Sequence, residues 1–200
     1  MRRLAVAVAA LALTGSSALA DGGPAGRELV GTAGPDRLLG TSAPELVRGL
    51  EGDDELYAGG GADEVIAGPG EDHVYGGDGD DLLWGSNHGD LAELDGYRRE
   101  RLLGGAGRDV LASGMAGAVL IGGEGDDQLH SVGRLGCRRN LNARRRPSDA
   151  PGCVVWLLGG PGEDRLWAKN GAADVVVCGR GDVLHGADAI DRVYPRCRRG

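Results

Sequence analysis

Phenylalanine is absent from this 200-residue chain, and only three tryptophans and four tyrosines supply large aromatic rings. A globular core built on such rings, which dominate buried area in ordinary domains, is therefore excluded. Histidine is also sparse, with His73, His88, His130 and His185 scattered along the chain. No HExxH, GxSxG or phosphate-loop motif occurs, so no metalloprotease, nucleophile-elbow or P-loop chemistry is indicated, and the chain is expected not to be an enzyme. No two cysteines have CxxC spacing, which removes a zinc ribbon or finger. No apolar run reaches the roughly 20 residues that a spanning helix needs, so no membrane span is expected.

What the chain does hold is glycine, 39 of 200 residues, which favours a backbone of many tight turns with small aliphatic side chains inside. The first twenty residues, MRRLAVAVAALALTGSSALA, place Arg2 and Arg3 before an apolar run and end in Ala18-Leu19-Ala20. That is the layout of a secretory signal peptide over 1–20, and a secreted, extracellular product is expected. The remainder carries 20 basic and 30 acidic residues, and the charge is segregated. Residues 31–93 hold 15 acids and two bases, whereas 131–200 hold seven acids and 13 bases. An acidic stretch of that density repels itself unless a cation joins it. Cys137, Cys153, Cys178 and Cys197 allow three disulfide connectivities, and pairing of sequence neighbours is the expectation.

Cutting the chain every nine residues from Gly31 aligns GTAGPDRLL, GTSAPELVR, GLEGDDELY, AGGGADEVI, AGPGEDHVY, GGDGDDLLW and GSNHGDLAE. The sixth letter is always acidic: Asp36, Glu45, Asp54, Asp63, Asp72, Asp81 and Asp90. The eighth is Leu38, Val47, Leu56, Val65, Val74, Leu83 and Ala92. After one extra residue, Leu94, the period resumes through DGYRRERLL, GGAGRDVLA, SGMAGAVLI and GGEGDDQLH, with Asp109 and Asp127 at letter six, Glu100 substituting and Ala118 losing the acid. An Arg-rich insertion follows, and GGPGEDRLW returns at 159–167 with Asp164. A fixed period of this kind signals a repeat architecture in which each unit buries its face against its neighbours.

GGDGDDLLW, GGAGRDVLA, GGEGDDQLH and GGPGEDRLW match GGxGxDxUx at every fixed letter, and the array resembles the hemolysin-type calcium-binding repeat, the RTX nonapeptide. The resemblance implies an all-β fold, a right-handed parallel β-roll or β-solenoid. In each nonad six residues turn and three form a strand, and two nonads make one 18-residue coil. Glycines at letters one, two and four are expected to adopt backbone angles closed to other residues. The resemblance further implies Ca2+ as cofactor, held between coils by backbone carbonyls and by Asp36, Asp54, Asp63, Asp72, Asp81, Asp90, Asp109, Asp127 and Asp164. Stacked at 18-residue spacing, Asp36, Asp54, Asp72 and Asp90 form one row and Glu45, Asp63 and Asp81 the other. Asp109 and Asp127 form a separate pair, and Asp164 has no clear predecessor, although Asp182 lies 18 residues on.

The organisation read from these observations is a signal peptide at 1–20, a calcium-binding β-roll at 21–130, an insertion with a disulfide at 131–158, and degenerate repeats ending in a disulfide-containing C-terminal cap at 159–200. The expected function is that of a secreted calcium-ion-binding module with a structural or adhesive role and folding coupled to the metal. Its partners are calcium ions and extracellular polysaccharide or cell-surface components. The rival reading is a calcium-dependent carbohydrate-active enzyme, a lyase or hydrolase. No nucleic-acid partner is expected, because the run CRRNLNARRR has no interleaved aromatics and reads as a solvated loop between Cys137 and Cys153. Tyr57 and Tyr75, 18 apart, should stack on an outer face, as a sugar-binding surface or as cross-strand support.

Overall fold

A computed structural model describes residues 27–85, 100–114, 117–132, 154–168, 174–187, 191–194 and 197–200. Seventeen short strands follow one another with no helix among the described residues. The first seven are β1 (Arg27–Val30), β2 (Arg37–Leu39), β3 (Glu45–Arg48), β4 (Glu55–Gly60), β5 (Glu64–Ile66), β6 (His73–Asp78) and β7 (Leu82–Trp84). The middle of the chain forms β8 (Arg101–Ala106), β9 (Val110–Ser113), β10 (Val119–Glu124) and β11 (Gln128–Ser131). The last six are β12 (Trp156–Leu158), β13 (Arg165–Trp167), β14 (Val175–Val177), β15 (Val183–Leu184), β16 (Arg192–Tyr194) and β17 (Arg198–Arg199).

Odd-numbered strands build a nine-stranded sheet and even-numbered strands an eight-stranded one, and every pairing is parallel. The chain crosses from one sheet to the other at each turn and returns one rung further on, which is a parallel β-solenoid. Strand alternation sets what each letter does. Letter eight points between the sheets, where Leu56, Val65, Val74, Leu83, Leu102, Leu111, Leu120, Leu129, Leu157 and Leu166 are fully buried. Letters seven and nine point outward.

Rung partners are 18 residues apart where the period is intact, as in Leu56↔Val74 and Val65↔Leu83. The step lengthens to 28 at Val74↔Leu102 and Leu83↔Leu111, and to 37 at Leu120↔Leu157 and Leu129↔Leu166. Between β7 and β8 the chain thus takes ten more residues than one coil, and Glu100, not Asp90, follows Asp72. Asp90 and Ala92 lie outside the described residues. Trp156–Leu158, read from the sequence as the end of the insertion, is already a rung. So are β14 to β17, which extend both sheets through the disulfide-containing C-terminal segment.

Glycine has two distinct reasons to be where it is. At letters two and four φ is positive for most glycines, for example 116° at Gly77 and 129° at Gly79, where an L side chain is strained, Gly34 and Gly70 being exceptions. Letter one departs from expectation: Gly76, Gly104, Gly122 and Gly159 have no positive φ, and what they provide is space. Leu50 occupies letter two with φ 77° and is the one non-glycine residue among those described with positive φ.

On the outer faces, Tyr57 and Tyr75 stack with ring centroids 4.6 Å apart and planes 3° apart. His130, Trp167 and His185 form a second stack at 4.2 and 4.8 Å. In both stacks ring faces lie against neighbouring rungs. Near the C-terminus Cys178 and Cys197 are joined, with Cα atoms 5.3 Å apart, as their sequence order led us to expect. Cys137 and Cys153 lie outside the described residues.

Candidate metal centre

The turns at the two edges of the solenoid carry the acids. Each letter-six residue ends a turn and begins a strand, so its side chain points inward beside the core and is buried. Asp54, Asp63, Asp72, Asp81, Asp109, Asp127 and Asp164 are each at most 3% exposed. A buried, isolated carboxylate is costly unless hydrogen-bonded or paired with a cation.

One oxygen of each is satisfied in the same way. The backbone N–H of each letter-six residue donates to Oδ1 of the acid one rung on: Asp36 to Asp54 at 2.9 Å and Asp54 to Asp72 at 3.0 Å along one edge. Along the other, Glu45 donates to Asp63 at 2.8 Å, and Asp63 to Asp81, Asp81 to Asp109, Asp109 to Asp127 and Asp127 to Asp164 each at 2.9 Å. Asp109 and Asp127 are therefore not a separate pair but the middle of one continuous row, and Asp127 precedes Asp164 across a gap of 37 residues. Asp182 continues the row, accepting from Asp164 N–H at 3.4 Å.

The other oxygen, Oδ2, has no hydrogen-bond partner in any of the seven. An unmet acceptor repeated rung after rung at a buried position marks the place of a missing positive charge. Its neighbourhood supplies further oxygens. The point a Cβ would occupy on Gly104 lies 2.2 Å from Asp109 Oδ2 and 2.5 Å from the Gly122 carbonyl oxygen. The same holds at Gly122, which faces Asp127 Oδ2 at 2.2 Å and the Gly159 carbonyl at 2.6 Å, and at Gly76, which faces Asp81 Oδ2 at 2.4 Å and the Gly104 carbonyl at 2.5 Å. In these three nonads letter-one glycine leaves open the region in which carboxylate and carbonyl oxygens of adjacent rungs converge, whereas Ala58 and Ala67 hold that letter beside Asp63 and Asp72. Among the described residues no three His, Cys, Asp or Glu side chains gather at one point, so an ion here draws most of its ligands from the backbone. An all-oxygen, carbonyl-rich set suits a hard cation of the calcium type, and the residues fit such an ion.

The electrostatics agree. Burial, opposed by the backbone donor and reinforced by neighbouring carboxylates, pushes Asp54, Asp81 and Asp164 up to about 6. Asp72 and Asp109 are pushed up to about 7. Asp63 and Asp127 are raised by the same causes. A carboxyl raised without a cation is one that a cation would return to its charged form.

The RTX calcium-binding nonapeptide repeat, in its four-copy form, matches residues 39–74, 57–91 and 96–129. The chain carries RTX repeats. Among curated proteins none matches it. RTX repeats bind Ca2+, and this chain is a calcium-binding repeat protein built as a β-roll. The RTX match ends at residue 129, yet the structure carries the same carboxylate row on to Asp164 and Asp182.

Four rungs depart from the pattern in ways the sequence reading missed. Thr41 donates its N–H and its hydroxyl, both at 2.7 Å, to the two oxygens of Glu45. Thr32 does the same to Asp36 Oδ2, the hydroxyl at 2.9 Å, while Asp36 Oδ1 has no partner. The Ser113 hydroxyl donates to Glu100 Oε2. Asp182 Oδ2 accepts from Gly179 N–H at 2.6 Å. What the sequence shows is Thr at letter two of the first two nonads and Ser at letter one of the nonad 113–121.

Proposed function

We propose that the chain is an exported, calcium-dependent structural or adhesion module, whose order outside the cell depends on calcium held between rungs by Asp54, Asp63, Asp72, Asp81, Asp109, Asp127 and Asp164. The observation that carries this reading is the unpartnered, buried Oδ2 repeated on all seven carboxylates. Calcium supplies positive charge and a demand for six to eight oxygens; the chain supplies the converging carboxylates and carbonyls and excludes water from between the coils. Without it, like charges on adjacent rungs oppose stacking of a core only one aliphatic residue deep per strand.

Extracellular modules bind calcium at roughly 0.1 to 1 mM, so the ion is present after export and scarce before it, and export triggers folding. The segment 1–20 supports that route by its signal-peptide layout. The buried carboxylates face neighbouring rungs rather than a cleft, which favours binding over turnover. The stacked faces of Tyr57 and Tyr75 favour cross-strand support over a sugar platform.

Calcium titration of the refolded full chain, followed by far-UV circular dichroism and calorimetry, tests the reading. The expected result is a transition from a largely disordered to a β-rich chain, reversed by chelator. A spectrum indifferent to chelation sinks it. Export is tested separately by sequencing the N-terminus of the protein recovered from culture medium, with cleavage expected after Ala20.

A further inference from the structure

We infer that the rungs of Glu45 and Glu100 are hydroxyl locks: Thr41 and Ser113 stand in for the cation, and these two rungs hold none. The inference rests on the reading that Asp carboxylates ligate calcium at the other rungs. The contrast is one of acceptor satisfaction. Asp63, the acid next to Glu45 in its row, leaves Oδ2 without a donor, and so does Asp109 further on. Glu45 leaves none, because Thr41 N–H reaches Oε2 and Thr41 Oγ1 reaches Oε1. Glu100 is fully buried, 0% exposed, with Ser113 Oγ donating to Oε2.

Glu at letter six is one methylene longer than the Asp of neighbouring rungs, and its carboxylate, like those of Asp81 and Asp109, lies beside the letter-one glycine. The Cβ point of Gly40 lies 2.5 Å from Glu45 Oε2, and that of Gly85 within 2.4 Å of both Glu100 oxygens. What sets these two rungs apart is the hydroxyl, Thr41 at letter two and Ser113 at letter one, that donates to the carboxylate. Glu100 also stands where its row loses acids altogether, since Ala118 and Val155 take the next two rungs. At the far end of the other row a covalent link has the analogous place. Arg198 pairs with Val183, so Cys197 lies at letter six beneath Asp182 and is bonded to Cys178. The cation rows are bounded by chemistry that needs no cation.

Bound calcium per chain, counted by equilibrium dialysis at saturating calcium on refolded full-length protein, decides the matter, with circular dichroism confirming that each variant counted is folded. Glu45→Gln and Glu100→Gln should keep the wild-type count, while Asp109→Asn loses at least one ion. The double variant Thr41→Gly with Glu45→Asp, which gives letters two and six of the locked rung the residues found at Gly59 and Asp63, should gain one ion. Loss of an ion from either Glu→Gln variant, or no gain in the double variant, overturns the locks while leaving the calcium reading intact. A wild-type chain that binds no calcium removes the calcium reading itself, and the locks with it.

Discussion

The two edges of the solenoid share a core, a period and a strand register, yet they differ in charge continuity. One edge carries acids at Glu45, Asp63, Asp81, Asp109, Asp127, Asp164 and Asp182 without interruption. The other begins with Asp36, Asp54 and Asp72, passes through Glu100 to Ala118 and Val155, and recovers an acid only at Asp174. The core tolerates either arrangement, because letter eight is aliphatic on both sides. The difference teaches that the fold specifies where letter six stands, while the residue there specifies whether a carboxylate is buried; the buried carboxylates are concentrated along one edge.

Acidity should separate the ionic contribution from the core most strongly. The carboxyls of the metal-free fold sit at about 6 to 7, above the ordinary value near 4, so the fold binds protons more tightly than the unfolded chain. Its proton-linked stability is complete in acid below about 4 and is lost as pH rises through 6 to 7. Circular dichroism in chelator should therefore show more β structure at pH 5 than at pH 8. Calcium affinity should move the other way, weakening from pH 8 to pH 6 as protons compete for the same oxygens. Coinciding pH profiles with and without calcium would contradict the carboxylate rows.

Restoring an acid to the interrupted edge is the next largest perturbation. Ala118→Asp buries a carboxylate where Ala118 is 0% exposed. In saturating calcium it should cost roughly 2 to 4 kcal/mol by urea unfolding. Reduction of Cys178–Cys197, which closes the continuous edge over a sequence separation of 19, should cost about 3 kcal/mol in the chain-entropy model and act on the C-terminal rungs first. Hydrogen exchange in calcium with and without reductant reads that polarity. The smallest effect belongs to the interrupted edge: Leu50→Gly relieves φ 77° at letter two of the Asp54 nonad and should gain about 1 kcal/mol or less in a denaturant melt.

Much of this was legible in the chain. A nine-residue period with an acid at letter six and an aliphatic at letter eight fixes both the inward column and the position of the buried carboxylates, because strand alternation leaves no other arrangement. The partner of each rung was not legible. GSNHGDLAE has an acid and an aliphatic in phase, so Asp90 read as the neighbour of Asp72, while the backbone pairs Asp72 with Glu100. Phase modulo nine says which letter a residue occupies, not which coil it joins. The hydrogen bonds that close Glu45 and Glu100 were invisible for a different reason: they depend on one methylene and one hydroxyl meeting across a turn, a distance that no spacing rule contains.

The ladder's indifference to steps of 18, 28 and 37 residues has a practical consequence. Between rungs the chain accepts additional sequence of ten and nineteen residues and rejoins in register. Foreign peptides grafted at those two junctions would be presented at fixed increments of about 4.8 Å along a rigid rod. With folding coupled to calcium as proposed, such a rod would be assembled or dissolved by the addition or withdrawal of a common ion, a reversible display scaffold.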